Sequence, residues 1–426
     1  MEPMAGMHTG RGGRRSALAG GIALAGTAAF RATGPARAQG TSRATCTLAD
    51  GEDTAAPVDC SGDDAARAGI AASLVARADA LAQGDRDAFL ATLDLRNPTW
   101  RRIQTDYFAA RGASVRRVTL RGTPRALQAK PRGYVRATIE FAPPGASATE
   151  PGAGSSRASW VFSRGDDGTW RHAEPLNEEL GPRRTDDRGL FVLSYYDWDA
   201  DVLDRVAAVA RTAWAKVGQS LPLPVDVRPT ISLNPTYASH SGLRGSTTWA
   251  AYLPGSRGTV LLRSPDSYGA GTVPIGESPD DQLLVPLAHE MTHLVNDAII
   301  SIVRIPQWMS EGLAEHVAEH LRAGDMAGAV RSGRTWTLDK ASDVIEWGAD
   351  PARDYTPSDV SLAYAHAAHG VHYFVERFGM ASFWDLAREF ATSRSWDRSF
   401  VSATGTSWEA FGADWGAWLA DRYGRS

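Results

Sequence analysis

The run His289-Glu290-Met291-Thr292-His293 sets two imidazoles four residues apart with a carboxylate beside the first. On a helix, residues at that spacing share a face with roughly 6 Å between their β-carbons, so both rings can converge on one divalent ion. Glu290 then lies where it can take a proton from water at that ion. With ten histidines in 426 residues the pentapeptide arises by accident in on the order of one chain in a hundred, so its surroundings must carry part of the weight. A catalytic zinc also needs a third protein ligand and an open position. Glu311 follows His293 by 18 residues, within Gln307-Trp308-Met309-Ser310-Glu311-Gly312-Leu313-Ala314-Glu315, and shares a helical face with Glu315. Two histidines, an acid and a second acid-bearing helix make Zn²⁺ the expected cofactor.

The elements that must position these groups are legible nearby. Ser278 offers a hydroxyl cap, Pro279 the first helical position, and Asp280 and Asp281 face the positive end of the helix dipole. Leu284, Leu287, Met291 and Leu294 then recur at helical spacing, with Pro286 placed before the motif. Pro306 marks the turn into the second helix.

HExxH followed by W-x-x-E-G-x-A-E resembles the gluzincin metallopeptidases, and most closely the peptidase MA-like group with its W-[LM]-x-E-G-[LF]-A-E run. That resemblance implies His289, His293 and Glu311 as zinc ligands, Glu290 as general base, and Glu315 as an acceptor holding one histidine ring. The spacing from His293 to Glu311 is one residue shorter than in the aminopeptidase branch, which argues against an aminopeptidase; an endopeptidase is the expectation. Glu315 as ligand with Glu311 as a capping acid stays open. His316 and His320 fall outside the pattern and read as a solvated face. The implied reaction is peptide hydrolysis by zinc-activated water, with a further donor stabilising the tetrahedral oxyanion, worth about 2 to 4 kcal/mol. Tyr364, in Ala363-Tyr364-Ala365, stands where the family has a recurrent tyrosine, as that donor or as packing against the zinc helix. His366, His369 and His372, spaced by three, are weaker choices that read equally as solvation. A catalytically silent zinc-stabilised binding module is the competing reading, against which the intact Glu290 speaks. A ligand-binding front domain on a zinc scaffold is another, which an Asp, His or Arg set in a pocket between residues 61 and 175 favours.

A chain of 426 residues accommodates two or three domains, and 43% hydrophobic residues with 14 Trp, 12 Phe and 11 Tyr supply real cores. Residues 1–38 read as a signal peptide: Arg11, Arg14 and Arg15, an apolar run from Ala17 to Phe30, then Ala36-Arg37-Ala38. The paired Arg14-Arg15 resembles a twin-arginine signal without its usual aromatic, and an ordinary secretory signal is the other reading. The expected location is extracellular or in the cell envelope. In residues 39–60, a polar lead-in, Cys46 and Cys60 are expected to form one disulfide, about 3 kcal/mol of loop-closure stabilisation. Removing the signal's five arginines and one glutamate takes the formal net charge from −4 to −8, which argues against nucleic acid as a partner. No later apolar run reaches the roughly 18 residues of a membrane span. The expected partner is a peptide or protein substrate.

The fold class expected is α+β. Residues 61–180 open with an Ala-rich helix from Asp63 to Gln83 and shorter helices over Arg86 to Leu95 and Arg101 to Ala110. Alternation follows at Val115 to Leu120, Tyr134 to Phe141, Ser159 to Ser163 and Trp170 to Ala173. Helices followed by a curved antiparallel meander resemble the nuclear-transport-factor-2-like cone, with Ala82-Gln83-Gly84-Asp85-Arg86-Asp87-Ala88-Phe89 typical of its opening. Trp100, Tyr107, Trp160 and Trp170 read as its core, no paired acid and base is evident, and an accessory role is expected. Gly181 to Arg188 reads as a linker. Residues 188–426 then form the metallopeptidase domain: a strand from Gly189 to Tyr195, a helix from Asp197 to Val217, and strands at Val225 to Leu233, Ala250 to Leu253 and Thr259 to Arg263. The zinc helix and C-terminal helices, among them Ser361 to Phe378 closed by Gly379 and Trp408 to Tyr423, complete it. Thr259 to Arg263 is either an edge that pairs with substrate or an internal strand.

Overall fold

The computed structural model describes residues 63–115, 121–142, 156–223, 227–236, 239, 250–253, 256, 258–265, 273–274, 281–300, 305–348 and 353–424. The expected signal, Cys46 and Cys60, and the helix cap at Ser278 lie outside the described residues. The architecture is α+β, with eleven α-helices and two five-stranded sheets among the described residues.

Three helices lead: α1 (Asp63–Gln83), α2 (Arg86–Ala91) and α3 (Pro98–Val115). Asp85 caps α2 by accepting from the Ala88 amide. That helix stops short of the expected Leu95 because Thr92 turns its hydroxyl back to the Phe89 carbonyl and Leu93 bridges to His172. The first sheet follows, with β1 (Arg121–Ala129), β2 (Val135–Ala142), β3 (Ser156–Arg164) and β4 (Trp170–His172) all antiparallel. The strand expected at Val115 to Leu120 is not seen: Val115 closes α3 and 116–120 lie outside the described residues. Its place is taken by β1, whose alternation Gly122 and Pro124 obscure. A bulge between Pro124 and Ala126 absorbs the missing proline amide. Ile70 and Leu74 of α1 bury against Ala137, Ile139, Ala158 and Phe162 of the sheet.

The second sheet runs in the order β5 (Arg183–Asp187), β6 (Val192–Tyr196), β7 (Thr230–Asn234), β9 (Thr259–Arg263), β8 (Ala250–Tyr252). The segment expected as a linker is thus strand β5. Its Arg and Asp side chains are mostly exposed, the composition an edge strand uses to discourage pairing with other chains. β6 and β7 are parallel, and a crossover joins them: a 3₁₀ turn Asp197–Val202 and then α4 (Leu203–Ser220). β9 is internal, parallel to β7 and antiparallel to β8, so the outer strand on that side is β8.

The rest is helical: α5 (Asp281–Ile300), α6 (Gln307–Val317), α7 (Ala323–Arg331), α8 (Leu338–Trp347), α9 (Pro357–Ser393), α10 (Trp396–Thr404) and α11 (Trp408–Tyr423). Thr356 and Asp359 form a reciprocal capping box at the start of α9. Gly379, at φ 83°, breaks α9 where a stop was expected. Phe374, Phe400, Phe411 and Trp408 lock α9, α10 and α11 together.

Between the sheets, Lys130 donates to Asp201 Oδ1 at 2.7 Å and to the Trp198 carbonyl, and Tyr134 meets Trp198 edge to face. The short strand β10 (Val273–Pro274) returns from the rear half to pair with Ser156 and Arg157 of β3. No described helix is long and apolar enough to cross a membrane.

Candidate metal centre

The face of α5 that carries Leu287, Met291, Leu294 and Val295 is buried. His289 and His293 point from the same helix toward α6, which lies between α5 and α9 and brings Glu311 to them. Gly312 permits this approach: a β-carbon there would sit 2.3 Å from the Ala367 carbonyl oxygen on α9, below any real contact.

The three donor atoms nearly touch. His289 Nε2 lies 3.0 Å from His293 Nε2 and 3.1 Å from Glu311 Oε2, and the third edge is 3.3 Å. Ligands about 2.0 to 2.1 Å from a tetrahedral ion stand roughly 3.3 Å from one another, so the triangle has the size a zinc-like ion requires. All three side chains are at most 4% exposed, and this is the one group of three potential ligands found converging among the described residues. Burial works against a charge on Glu311, yet the two imidazoles bring its carboxyl down to about 2. Burial likewise opposes a charge on His293, but Glu311 and the neighbouring carboxylates raise it to about 9. A proton thus does in part the neutralising that a divalent cation can do in full, and a cation entering must displace it.

Polar groups stand behind the two candidate histidine ligands. Ser310 Oγ lies 3.2 Å from His293 Nδ1. Glu315 Oε1 lies 3.6 Å from His289 Nδ1, beyond a good hydrogen bond. Glu315 also accepts from Arg322 Nη2 at 3.0 Å and meets His320 Nδ1 at 2.7 Å. Against the cost of burial, Arg322 first and then His320 hold its carboxyl below the usual range. Arg322 adopts a left-handed backbone, φ 51°, at the head of α7.

Glu290 Oε2 accepts the backbone N–H of Tyr252 on β8 at 2.6 Å. Burial pushes its carboxyl up, Glu311 adds to the rise, and the two histidines oppose it. Tyr364, on α9, is buried, with the Arg322 guanidinium 5.2 Å from its ring centre. Burial and then Glu311 and Glu315 push its hydroxyl well above 10, so it stays a donor.

Several expected positions differ. His320 is only half-buried, but it is more than a solvated side chain, because its Nδ1 meets Glu315. His316 Nδ1 lies 3.4 Å from His372 Nδ1 across α6 and α9. His366 and His369 are fully buried: His366 Nε2 accepts from the Trp336 amide, and His369 Nε2 meets Tyr423 Oη at 2.8 Å. A spacing of three keeps 366 and 369 on one side of the helix, and that side faces the core. Ser310, Arg322 and the Tyr252 amide escaped the sequence reading. Ser310 had a signal, its place next to Glu311; Arg322 and Tyr252 had none. Neither the models of known protein families nor the curated proteins give a match to this chain.

Proposed function

We propose that the protein is an exported zinc metallopeptidase that hydrolyses peptide bonds internally in a chain. The observation that carries this reading is the buried triangle of His289, His293 and Glu311 with Glu290 fixed beside it. The donor set of two imidazoles and one carboxylate suits zinc and leaves a fourth position. Bound there, the ion supplies Lewis acidity, which polarises a carbonyl and makes water a usable nucleophile near neutral pH.

The chain's own residues then do the rest. Glu290 takes the proton of the attacking water and passes it to the leaving nitrogen. Its raised pKa makes it the stronger base, and the Tyr252 amide fixes the oxygen that does not carry the proton. The Tyr364 hydroxyl donates to the oxyanion. Strand alternation turns the amide of Tyr252 away from β9 and toward the site, and Ala250, two residues back, offers its amide and carbonyl on the same side. An extended peptide added to that edge lies across the metal position.

Metal analysis of the purified protein and of Glu290→Gln, with a mixed peptide library as substrate, tests this. One zinc per chain in both, and cleavage by the parent alone, is expected. Zinc in both with cleavage in neither leaves a binding protein, and absence of zinc removes the basis of the proposal.

A further inference from the structure

The front half contains a second constellation of buried polar groups. Arg77 projects from α1 among α2, α3 and the first sheet, where it is 8% exposed. One amino group, Nη2, donates to Gln104 Oε1 of α3 at 3.0 Å; the other, Nη1, is buried with no hydrogen-bond partner among the described residues. The guanidinium carbon lies 4.5 Å from the Phe89 ring centre and 5.5 Å from that of Trp160. No carboxylate pairs with Arg77 among the described residues.

Next to it, on β4, His172 is 2% exposed, and both of its ring nitrogens lack a hydrogen-bond partner among the described residues. The ring lies flat on Trp160 at 4.3 Å and edge-on to Trp100 at 4.9 Å. Its backbone is pinned on both sides, because His172 N donates to the Thr92 carbonyl and the His172 carbonyl accepts from Asp94. Burial, then the charge on Arg77, drives the imidazole well below its ordinary value, so at neutral pH it offers one donor and one acceptor. Burial lowers Arg77 to about 10, which leaves it charged.

A buried charge with no counter-ion among the described residues, beside an imidazole with no partner among them, is costly in a core that could have held leucines. Both costs vanish if an anion enters. We propose that the front half binds a small carboxylic acid with an apolar body, its carboxylate held by Arg77 and His172 and its body against Phe89, Trp100 and Trp160. Carboxylate suits the one free edge of a guanidinium whose other side is occupied, and the aromatic walls select the apolar remainder. Tyr107 and Trp160, only part-buried, are the walls nearest solvent. This site is separate from the metal centre and independent of its chemistry.

Calorimetry and thermal unfolding of the full chain with benzoate, 3-phenylpropanoate and hexanoate, and with benzamide as the uncharged counterpart of benzoate, test the proposal. At least one carboxylate is expected to bind with Kd below about 1 mM and to raise the unfolding midpoint, with benzamide tenfold weaker or more. Arg77→Met is expected to lose that binding while unfolding at a higher temperature than the ligand-free parent. His172→Phe, which keeps the stack on Trp160, is expected to weaken binding tenfold or more and decides the matter if Arg77→Met does not fold. Binding of none of the three acids, equal binding of benzamide, or parental affinity in either folded variant overturns the proposal.

Discussion

At the scale of single residues, Glu315 stands behind the candidate metal ligands. It faces His289 Nδ1 and is held in turn by Arg322 and His320, so losing its charge frees the ring and strands a buried guanidinium. Glu315→Gln is expected to weaken zinc about 10- to 100-fold in competition with a chelator, and Glu311→Gln to weaken it further. The reverse ranking would make Glu315 the third ligand. The pairing of His289 with His293, and Glu290 beside them, was legible in the sequence because helical geometry brings i and i+4 together whatever surrounds them; Glu311, on another helix, was legible only through the resemblance of the run from Trp308 to Glu315 to a family motif. Arg322 was not, because its role depends on a left-handed backbone at a helix junction. The Arg77 and His172 pair was hidden for another reason: the two are far apart in the chain, on a helix and a strand, and each looks unremarkable within its own element.

At the scale of elements, the metal centre depends on how near α6 comes to α9. Gly312→Ala would place a methyl against the rigid Ala367 carbonyl, which no rotamer change relieves. The cost expected is about 1 to 3 kcal/mol of stability, as for other overpacked sites, with zinc affinity falling as Glu311 shifts. Denaturant unfolding and metal titration read the two effects. Unchanged values in both would contradict the close approach. Helices with a clear stop or cap, such as α1, ended by Gly84 in a left-handed conformation, and α11, capped by Ser407, could be placed from sequence alone. β1 and β5 could not: a glycine and a bulge-forming proline mask alternation in the first, and the charges of the second imitate a linker.

At the scale of the whole molecule, the two sheets meet around Asp199, in the turn before α4. Its carboxyl is 1% exposed, accepts from Ser264 Oγ, and has Oδ2 without a hydrogen-bond partner among the described residues; Lys130, Arg136 and Asp201 are the charges acting on it. Burial raises it from 3.8 to about 7, with Asp201 adding and Ser264, Lys130 and Arg136 opposing. The folded protein therefore keeps a proton that the unfolded chain has released between about pH 4 and 7. Through that window stability falls as pH rises, by on the order of 4 kcal/mol, and is level above it. Asp199→Asn removes this dependence, so its stability relative to the parent should grow from pH 4 to 7 and then stay constant in denaturant titrations. A difference independent of pH would show that Asp199 is ionised in the folded state.

The pairing of Val273 and Pro274 with β3 has an evolutionary corollary. A two-residue strand ahead of α5 in the sequence completes a sheet built almost wholly from the other half of the chain. Recombination that exchanged either half for a foreign one would uncover the backbone of Ser156 and Arg157 and slacken the lead into α5 at a single stroke. Descent is thereby biased toward inheriting the halves as a pair.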